Sequence, residues 1–523
     1  MTVKLPSKTT TTEVAYSISN QLDETFTLEA GNKLRSKEND AIRISGHDLI
    51  VWLDGEVSGG KTGFVFTDTT RDGANPDWDA ISVEAGGKVT GENSAIRATA
   101  EYISIDIAGT ISSKTGTTLD VRAPDRDDFD YSYGELSIYN GGEITAEKAG
   151  AYAISAYGHG ARLRNHGEIN GDVLIKVAGK DNPYTLVSFL NYGTINGDVE
   201  CASTREPARQ ENYGRIVGET HKFQNLTNHG QGDIFADKRV WVSGELHNDG
   251  DILGDIYTSG AIFENGGRIV GDVETFSDRI FQHGTLIGDL KIHGIHAENE
   301  GRIEGDVIVD NTAFYQKGTL TGTIKLVGNE RNSVDGARSE SALKVEGSAV
   351  RDIVTGSRFN DKISGKDGRD DLMAGAGNDL VDGGGDRDLL YGQTGNDTLK
   401  GGSGSDTLNG GDGHDILEGG SGNDLLVVRG LGSDVLTGGS GGDRFEFSMI
   451  TNGRHRITDF EDGTDRIILD GYRGYDSFDD IEFAISQLGD DVVLNLGMLG
   501  AEGRVFIEDT RLNEIDASDF LFS

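Results

Sequence analysis

The sequence predicts an all-β chain: a parallel β-helix over the N-terminal two-thirds, followed by a second, tighter stack of short strands. Three observations carry that prediction. One motif recurs with a step of 17 residues in the first region, and another recurs with a step of nine in the second. Gly, at 77 of 523 residues against only 5 Pro, is about twice its average usage, which suits tight turns joined by short strands. No G-X-Y triplet runs through the chain, which excludes collagen, and scarce Pro argues against a Pro-rich disordered chain.

The 17-residue step is clearest in NDGDILGDI, NGGRIVGDV, QHGTLIGDL, NEGRIEGDV and QKGTLTGTI, which begin at Asn248, Asn265, Gln282, Asn299 and Gln316. Looser copies begin at Asn165, Asn191 and Asn212, and more distant ones near 53, 85, 108 and 140. Upstream spacing widens and varies, as loops inserted between coils would produce. Within G-x-I-x-G-D-V, side chains alternate: Ile inward, a variable residue outward, Gly at a bend, Asp outward, Val inward. Stacked coils then build a continuous core that no single coil could bury. The Asn or Gln heading each unit falls at a turn, where stacked amides can hydrogen-bond as a ladder. The residue after it varies (His166, Tyr192, Tyr213, His229, Asp249, Gly266, His283, Glu300, Lys317), which marks a solvent-facing position. No sustained helical periodicity competes with this reading.

The nine-residue register runs over 347–446. Its sixth position is Asp in every unit, from Asp352 to Asp443, and its eighth is apolar, from Val354 to Phe445. GGSGSDTLN, GGDGHDILE and GGSGNDLLV fit G-G-x-G-x-D-x-U-x at each specified position. The glycines permit positive-φ turns that expose backbone carbonyls, and the Asp adds a carboxylate beside them. Carbonyls and carboxylates at a flexible site are the hard oxygen donors that Ca²⁺ takes. Without metal, the Asp column repels itself; with metal, ions bridge neighbouring turns. Eleven units in register leave little room for the alternative of a Gly/Asp-rich flexible linker.

Charge and export signals point the same way. The formal net charge is −40, so nucleic acid and anionic membrane surfaces would repel the chain, no nucleic-acid partner is expected, and cations are the natural counter-ions. Cys201 is the one cysteine, so no internal disulfide forms. The N-terminus has no apolar h-region of a Sec signal peptide, and no window is apolar enough for a transmembrane helix. Export, if it occurs, reads another signal.

Residues 347–446 resemble the RTX (repeats-in-toxin) family of type I-secreted calcium-binding proteins. The resemblance implies a calcium-binding parallel β-roll holding several Ca²⁺ ions between successive turns. It implies as ligands Asp361, Asp370, Asp379, Asp388, Asp397, Asp406, Asp415, Asp424, Asp434 and Asp443, most regular from Asp370 to Asp424. The chain departs from the family glycines at Ser357, Phe359, Lys366, Asp386 and Gln393, and leading glycines are lost at Ala374 and Arg429. The first two units are degenerate and are expected to form a cap. RITDFEDGTDRIIL at 456–469 resembles the β-rich flank of RTX repeats in serralysin-like proteins. DASDFLFS at the C-terminus, with Asp516 and Asp519 before Phe520, Leu521 and Phe522, resembles an uncleaved type I secretion signal, and a final edge strand is compatible with that. The resemblance therefore implies the type I secretion apparatus as a partner and a secreted, extracellular or cell-surface location. Such a chain is unfolded in a low-calcium cytosol and folds outside, where calcium modules bind at roughly 10⁻⁴–10⁻³ M, binding free energy becoming folding free energy.

The expected organisation is a polar N-terminal tail or cap (1–24), a parallel β-helix (25–326), a linker that breaks both registers (327–346), the β-roll (347–446) and a C-terminal cap with the export segment (447–523). The helix resembles the repeats of bacterial surface adhesins and of pectin-lyase-like polysaccharide enzymes, in architecture only. The outward Asp172, Asp198, Asp255, Asp272, Asp289 and Asp306 read as a repeated turn feature rather than a glycosidase pair. Tyr157-Gly158-His159 with Arg162, Arg164 and His166 is the best local group of catalytic residue types, but surface and turn residues are the simpler account. Mannuronan C5-epimerases also join a β-helix to RTX modules; their Y-G-[FI]-D-P-H is absent, since His159-Gly160 follows Tyr157-Gly158. No H-E-x-x-H indicates a serralysin protease and no G-x-S-x-G supports a lipase. Catalytic residues are thus unassigned. The reading is a non-enzymatic adhesin or matrix protein, associated with cell-surface or extracellular polysaccharide, with a calcium-dependent lyase, hydrolase or epimerase as the alternative.

Overall fold

The computed structural model describes residues 2–522 apart from 6–7, 11–14, 22–24, 47–48, 69–78, 101, 123–134, 159, 178–186, 203–208 and 450–451. His159 lies outside the described residues. The chain divides into two compact units, Met1–Val273 and Glu274–Ser523.

The first unit is a parallel β-helix. One coil consists of the strands Ala161–Asn165, Glu168–Asn170 and Asp172–Val177. Leu163, Ile169, Val173 and Ile175 point inward and are buried, as period-2 alternation requires. Each strand pairs in parallel with its counterpart one coil on, so that Ile144, Ile169, Ile195 and Ile216 fall in one register. The polar stretch at the N-terminus takes part: Thr2–Lys4, Lys8–Thr10 and Tyr16–Gln21 pair with Thr25–Leu28, Lys33–Ser36 and Ile42–Gly46. Stacked glycines make the close turns possible. A Cβ on Gly193 would meet the Gly167 carbonyl oxygen at 2.1 Å.

The amide ladder expected at the head of each unit is present and fully buried. Nδ2 of Asn140, Asn165, Asn191, Asn212, Asn228 and Asn248 each donates to Oδ1 of the next member, ending at Asn265, over 2.7–2.8 Å. The following column faces solvent, as its variety predicts, with His166 exposed and Tyr192 42% exposed, and its rings are ordered. His166, Tyr192, Tyr213 and His229 stack ring on ring, with centroids 4.6, 4.8 and 3.8 Å apart and planes within 8°. The inward Val column has one polar member. His221 lies between Val199 and Val240 in that column, its Nε2 2.9 Å from the Phe235 carbonyl oxygen and its Nδ1 accepting from the Val199 N–H. Burial lowers its pKa, so it stays neutral.

The second unit begins with further 17-residue coils, in which Thr285–Ile287 pairs with Arg302–Glu304 and Leu290–His293 with Val307–Asp310. Residues 327–346 do not break the stack as the expected linker would. Asn332–Asp335 pairs with Ala313–Gln316 on one side and with Asp352–Thr355 on the other. Lys344–Glu346 likewise joins Ile324–Val327 to Lys362–Asp367. Val334 and Val345 keep the inward alternation that Phe314 and Ile324 set, a period-2 pattern that the flanking polar residues obscure in the sequence.

The nonapeptides then form a parallel β-roll. Each repeat is half a coil, so Asp371–Ala376 pairs with Leu389–Thr394 and Leu380–Gly385 with Thr398–Ser403, 18 residues apart. Every eighth-position residue from Val354 to Phe445 is buried. Beyond the roll, Phe478–Ile481 forms a single short helix, followed by an antiparallel pair, Ile485–Leu488 with Asp491–Asn495, which also pairs antiparallel with Glu502–Ile507. The last strand, Phe520–Phe522, lies parallel to Arg466–Asp470.

Candidate calcium-binding site

Because each repeat is half a coil, the sixth-position aspartates form two columns. One runs Asp352, Asp370, Asp388, Asp406, Asp424 and Asp443; the other runs Asp361, Asp379, Asp397, Asp415 and Asp434. Each Asp from Asp370 onward uses Oδ1 to accept the backbone N–H of the Asp one coil earlier, over 2.7–3.0 Å. The second oxygen is what distinguishes them. Oδ2 of Asp370, Asp379, Asp388, Asp397, Asp406, Asp415, Asp424 and Asp443 is buried and has no hydrogen-bond partner, a state that costs free energy unless something satisfies the oxygen.

Backbone carbonyls converge beside those oxygens. A Cβ built on Gly392 would sit 2.3 Å from Asp397 Oδ2 and 2.5 Å from the Gly410 carbonyl oxygen. Gly401, with Asp406 Oδ2 at 2.6 Å and the Gly419 carbonyl at 2.5 Å, repeats the arrangement, as does Gly419 with Asp424 and Gly438. The missing Cβ leaves a cradle of oxygen donors in each rung. Among the described residues no three His, Cys, Asp or Glu side chains gather as a metal cluster. The donor set is one carboxylate plus carbonyls, which suits Ca²⁺ and not a thiolate- or imidazole-seeking metal. The residues therefore fit calcium.

Burial, and then the neighbouring carboxylates, push the column's pKa values up. Asp370, Asp388, Asp415 and Asp424 rise to about 7, and Asp379 and Asp443 to about 6. Asp397 and Asp406 shift upward mainly through burial.

Two of the ten expected ligands are provided for by the protein itself. Asp361 accepts from the Leu343 N–H and from both the N–H and the hydroxyl of Ser357. Asp434 faces His455, whose Nδ1 lies 3.2 Å from Asp434 Oδ2 and 3.3 Å from its backbone N. His455 is fully buried in the place the next Asp of that column would take. Asp352, in the first nonapeptide, is bonded by Ser348 and Asn332 in the same way as Asp361. In the other column, Asp465 takes the next place, accepting from the Asp443 and Glu461 N–H groups.

The group around Tyr157 does not converge. Tyr157 stands in a row between Arg122 and Lys176, Arg164 lies over the Tyr139 ring at 6.0 Å, and His166 stacks on Tyr192. The outward aspartates of the helix serve as ladder acceptors: Asp172 Oδ1 takes the Asp198 N–H, Asp198 the Glu219 and Thr220 N–H groups, and Asp289 the Asp306 N–H.

Two stacked-strand columns of half-satisfied carboxylates and inward-turned carbonyls define a calcium-binding solenoid. Residues 346–426, in overlapping stretches (346–381, 355–390, 364–399 and 391–426), and residues 430–446 match the RTX calcium-binding nonapeptide repeat. This region of the chain consists of RTX calcium-binding repeats, with several ions spread along them. Residues 230–325 match the bactofilin family, described as polymer-forming cytoskeletal. Among solved structures, the extracellular lipase LipA from Serratia marcescens is similar over 61% of this chain and 45% of the lipase, at 16% identity and a TM-score of 0.19. The chain thus spans less than half the length of that lipase. No curated protein matches the chain.

Proposed function

We propose that this is a secreted protein whose β-roll folds on meeting extracellular calcium and whose β-helix acts as an adhesive or matrix surface toward polysaccharide. The observation that carries the calcium part is the set of eight buried, unpartnered Oδ2 atoms. Calcium supplies a dication that takes these oxygens as ligands and cancels the repulsion within each column. Asp370, Asp379, Asp388, Asp397, Asp406, Asp415, Asp424 and Asp443 would hold it, together with carbonyls of the leading glycines. Asp361 and Asp434 are the weakest of the ten candidates because their oxygens already have partners.

Export by a type I apparatus rests on the RTX repeats and on the C-terminal Asp516–Phe522 segment. The adhesive or matrix reading rests on the regularity of the helix. Its outward aspartates are spent on the ladder, and no convergent acid–base pair stands out among the described residues. The match of 230–325 to a polymer-forming family is in keeping with a repeat helix used as a structural element. The test is calcium titration of the full-length chain, followed by circular dichroism and calorimetry. Binding of several ions with a gain of β-structure supports the reading. A far-ultraviolet spectrum and ion stoichiometry indifferent to calcium and chelator would sink it.

A further inference from the structure

The outward face of the first unit carries a column unlike its neighbours. Glu200, Lys222, Trp241 and Tyr257 occupy one register position on four successive coils. Trp241 is 38% exposed. Its ring centroid lies 4.5 Å from that of Tyr257 with the planes tilted by 46°, so the two rings form a bent platform rather than a closed stack. The Arg239 guanidinium sits 5.2 Å from the Trp241 ring centroid.

The platform floors a cavity of about 430 Å³ that Gln224, Ser243 and Ser259 also line, within the size range of small-ligand sites. Gln224 brings a buried Oε1 with no hydrogen-bond partner to it. At the rim, Glu200 is held between Lys176 at 2.9 Å and Lys222 at 3.3 Å. Two cations, Lys176 and Lys222, thus share one carboxylate, while Arg239, over the Trp241 ring, has Asp255 as its register neighbour on the next coil, in a protein whose net charge is −40.

Resting on the polysaccharide reading above, we infer that this cavity binds a uronate-bearing glycan, with a pyranose ring on Trp241 and Tyr257 and its carboxylate toward Lys222 and Arg239. An aromatic face beside hydroxyl, amide and ammonium groups suits a ligand that is apolar on its ring faces and polar at its edges. The lysines supply charge-assisted hydrogen bonds to a carboxylate. Coils rise by about 4.8 Å, close to the length of one sugar in an extended chain, so a glycan lying along the column meets a new side chain at each residue.

The test is calorimetric titration of the calcium-loaded full-length protein with oligogalacturonate and oligomannuronate, with a cello-oligosaccharide as the neutral control. The acidic oligosaccharides are expected to bind. Trp241→Ala and Tyr257→Ala should each weaken them about tenfold. Trp241→Phe, which keeps a ring, should weaken them less, and Lys222→Gln should weaken only the acidic ones. Circular dichroism and calcium stoichiometry of the variants should stay those of the parent. If the parent binds and all four variants bind equally well, the site is elsewhere and this assignment falls while the polysaccharide reading stands. If the parent binds no glycan, both fall. A neutral oligosaccharide bound as tightly as the acidic ones overturns the uronate assignment.

Discussion

Asp397 and Asp361 share a column, yet differ in what their second oxygen meets. In Asp397 it meets nothing, and in Asp361 it meets Ser357. Replacing Asp397 with Ala should therefore remove a calcium site, lowering the calorimetric stoichiometry and raising the half-saturating calcium concentration. Replacing Asp361 with Ala should leave the stoichiometry alone and cost about 1–3 kcal/mol of stability in denaturant melts, through the lost bonds to Ser357 and Leu343. The turns make a second point. Lys366, Asp386 and Gln393, which stand where the family has glycine, are held at φ of 72°, 68° and 76°. A left-handed non-glycine residue costs roughly 1–2 kcal/mol, so Gln393→Gly should raise the melting temperature of the calcium-loaded protein. The column was legible in the sequence because every repeat keeps the Asp. The roles of Ser357 and His455 were not. A serine reads as a lost glycine until its hydroxyl is seen against Asp361, and His455 follows Asp434 by more residues than the repeat allows.

At the scale of single elements, the amide ladder and the aspartate columns answer the same need, pairing one coil with the next, but differ in what is left over. The ladder is complete in itself. Asn191→Ala would take from Asn165 its ladder acceptor and from Asn212 Oδ1 its ladder donor in a fully buried row, and should cost about 2–4 kcal/mol in the same melts. The aspartate columns are incomplete and so depend on pH. Their pKa values rise on folding from the ordinary carboxylate range to about 6–7, burial being the main cause. Between those values the calcium-free folded roll holds protons that the unfolded chain has released, so its stability falls as pH rises through that window and is lowest once every carboxylate is charged. In chelator, then, the β-roll should hold better at pH 5 than at pH 8, by circular dichroism. With calcium, protons compete for the same oxygens, and the calcium midpoint should rise below about pH 6. The 17-residue coils were readable because Ile and Val alternate within them. The ring stack from His166 to His229 was not, because varied residues at a solvent-facing position give no sign in the sequence that their rings lie parallel.

At the scale of the whole chain, regular repetition made the fold class plain, and its interruptions hid the rest. The step from 17 to nine residues suggested a linker at 327–346, where the strands in fact continue from one kind of coil to the other. Removing calcium from the full-length protein should accordingly melt the β-signal in stages, with the Asn-laddered coils outlasting the roll; limited proteolysis in chelator should cut first within 365–446. The half-coil repeat has one more consequence. The aspartates stack on aspartates, and glycines on glycines or on their left-handed stand-ins Lys366 and Gln393, whether counting starts on an odd or an even nonapeptide, so deleting a single repeat would keep the strands inside the roll in register. What would change is phase. The strand Phe520–Phe522 and the antiparallel pair before it would emerge half a turn around the roll, on the opposite face, and a second deletion would bring them back. Repeat number thus acts as a two-position dial, its parity setting the side on which the C-terminal segment is carried.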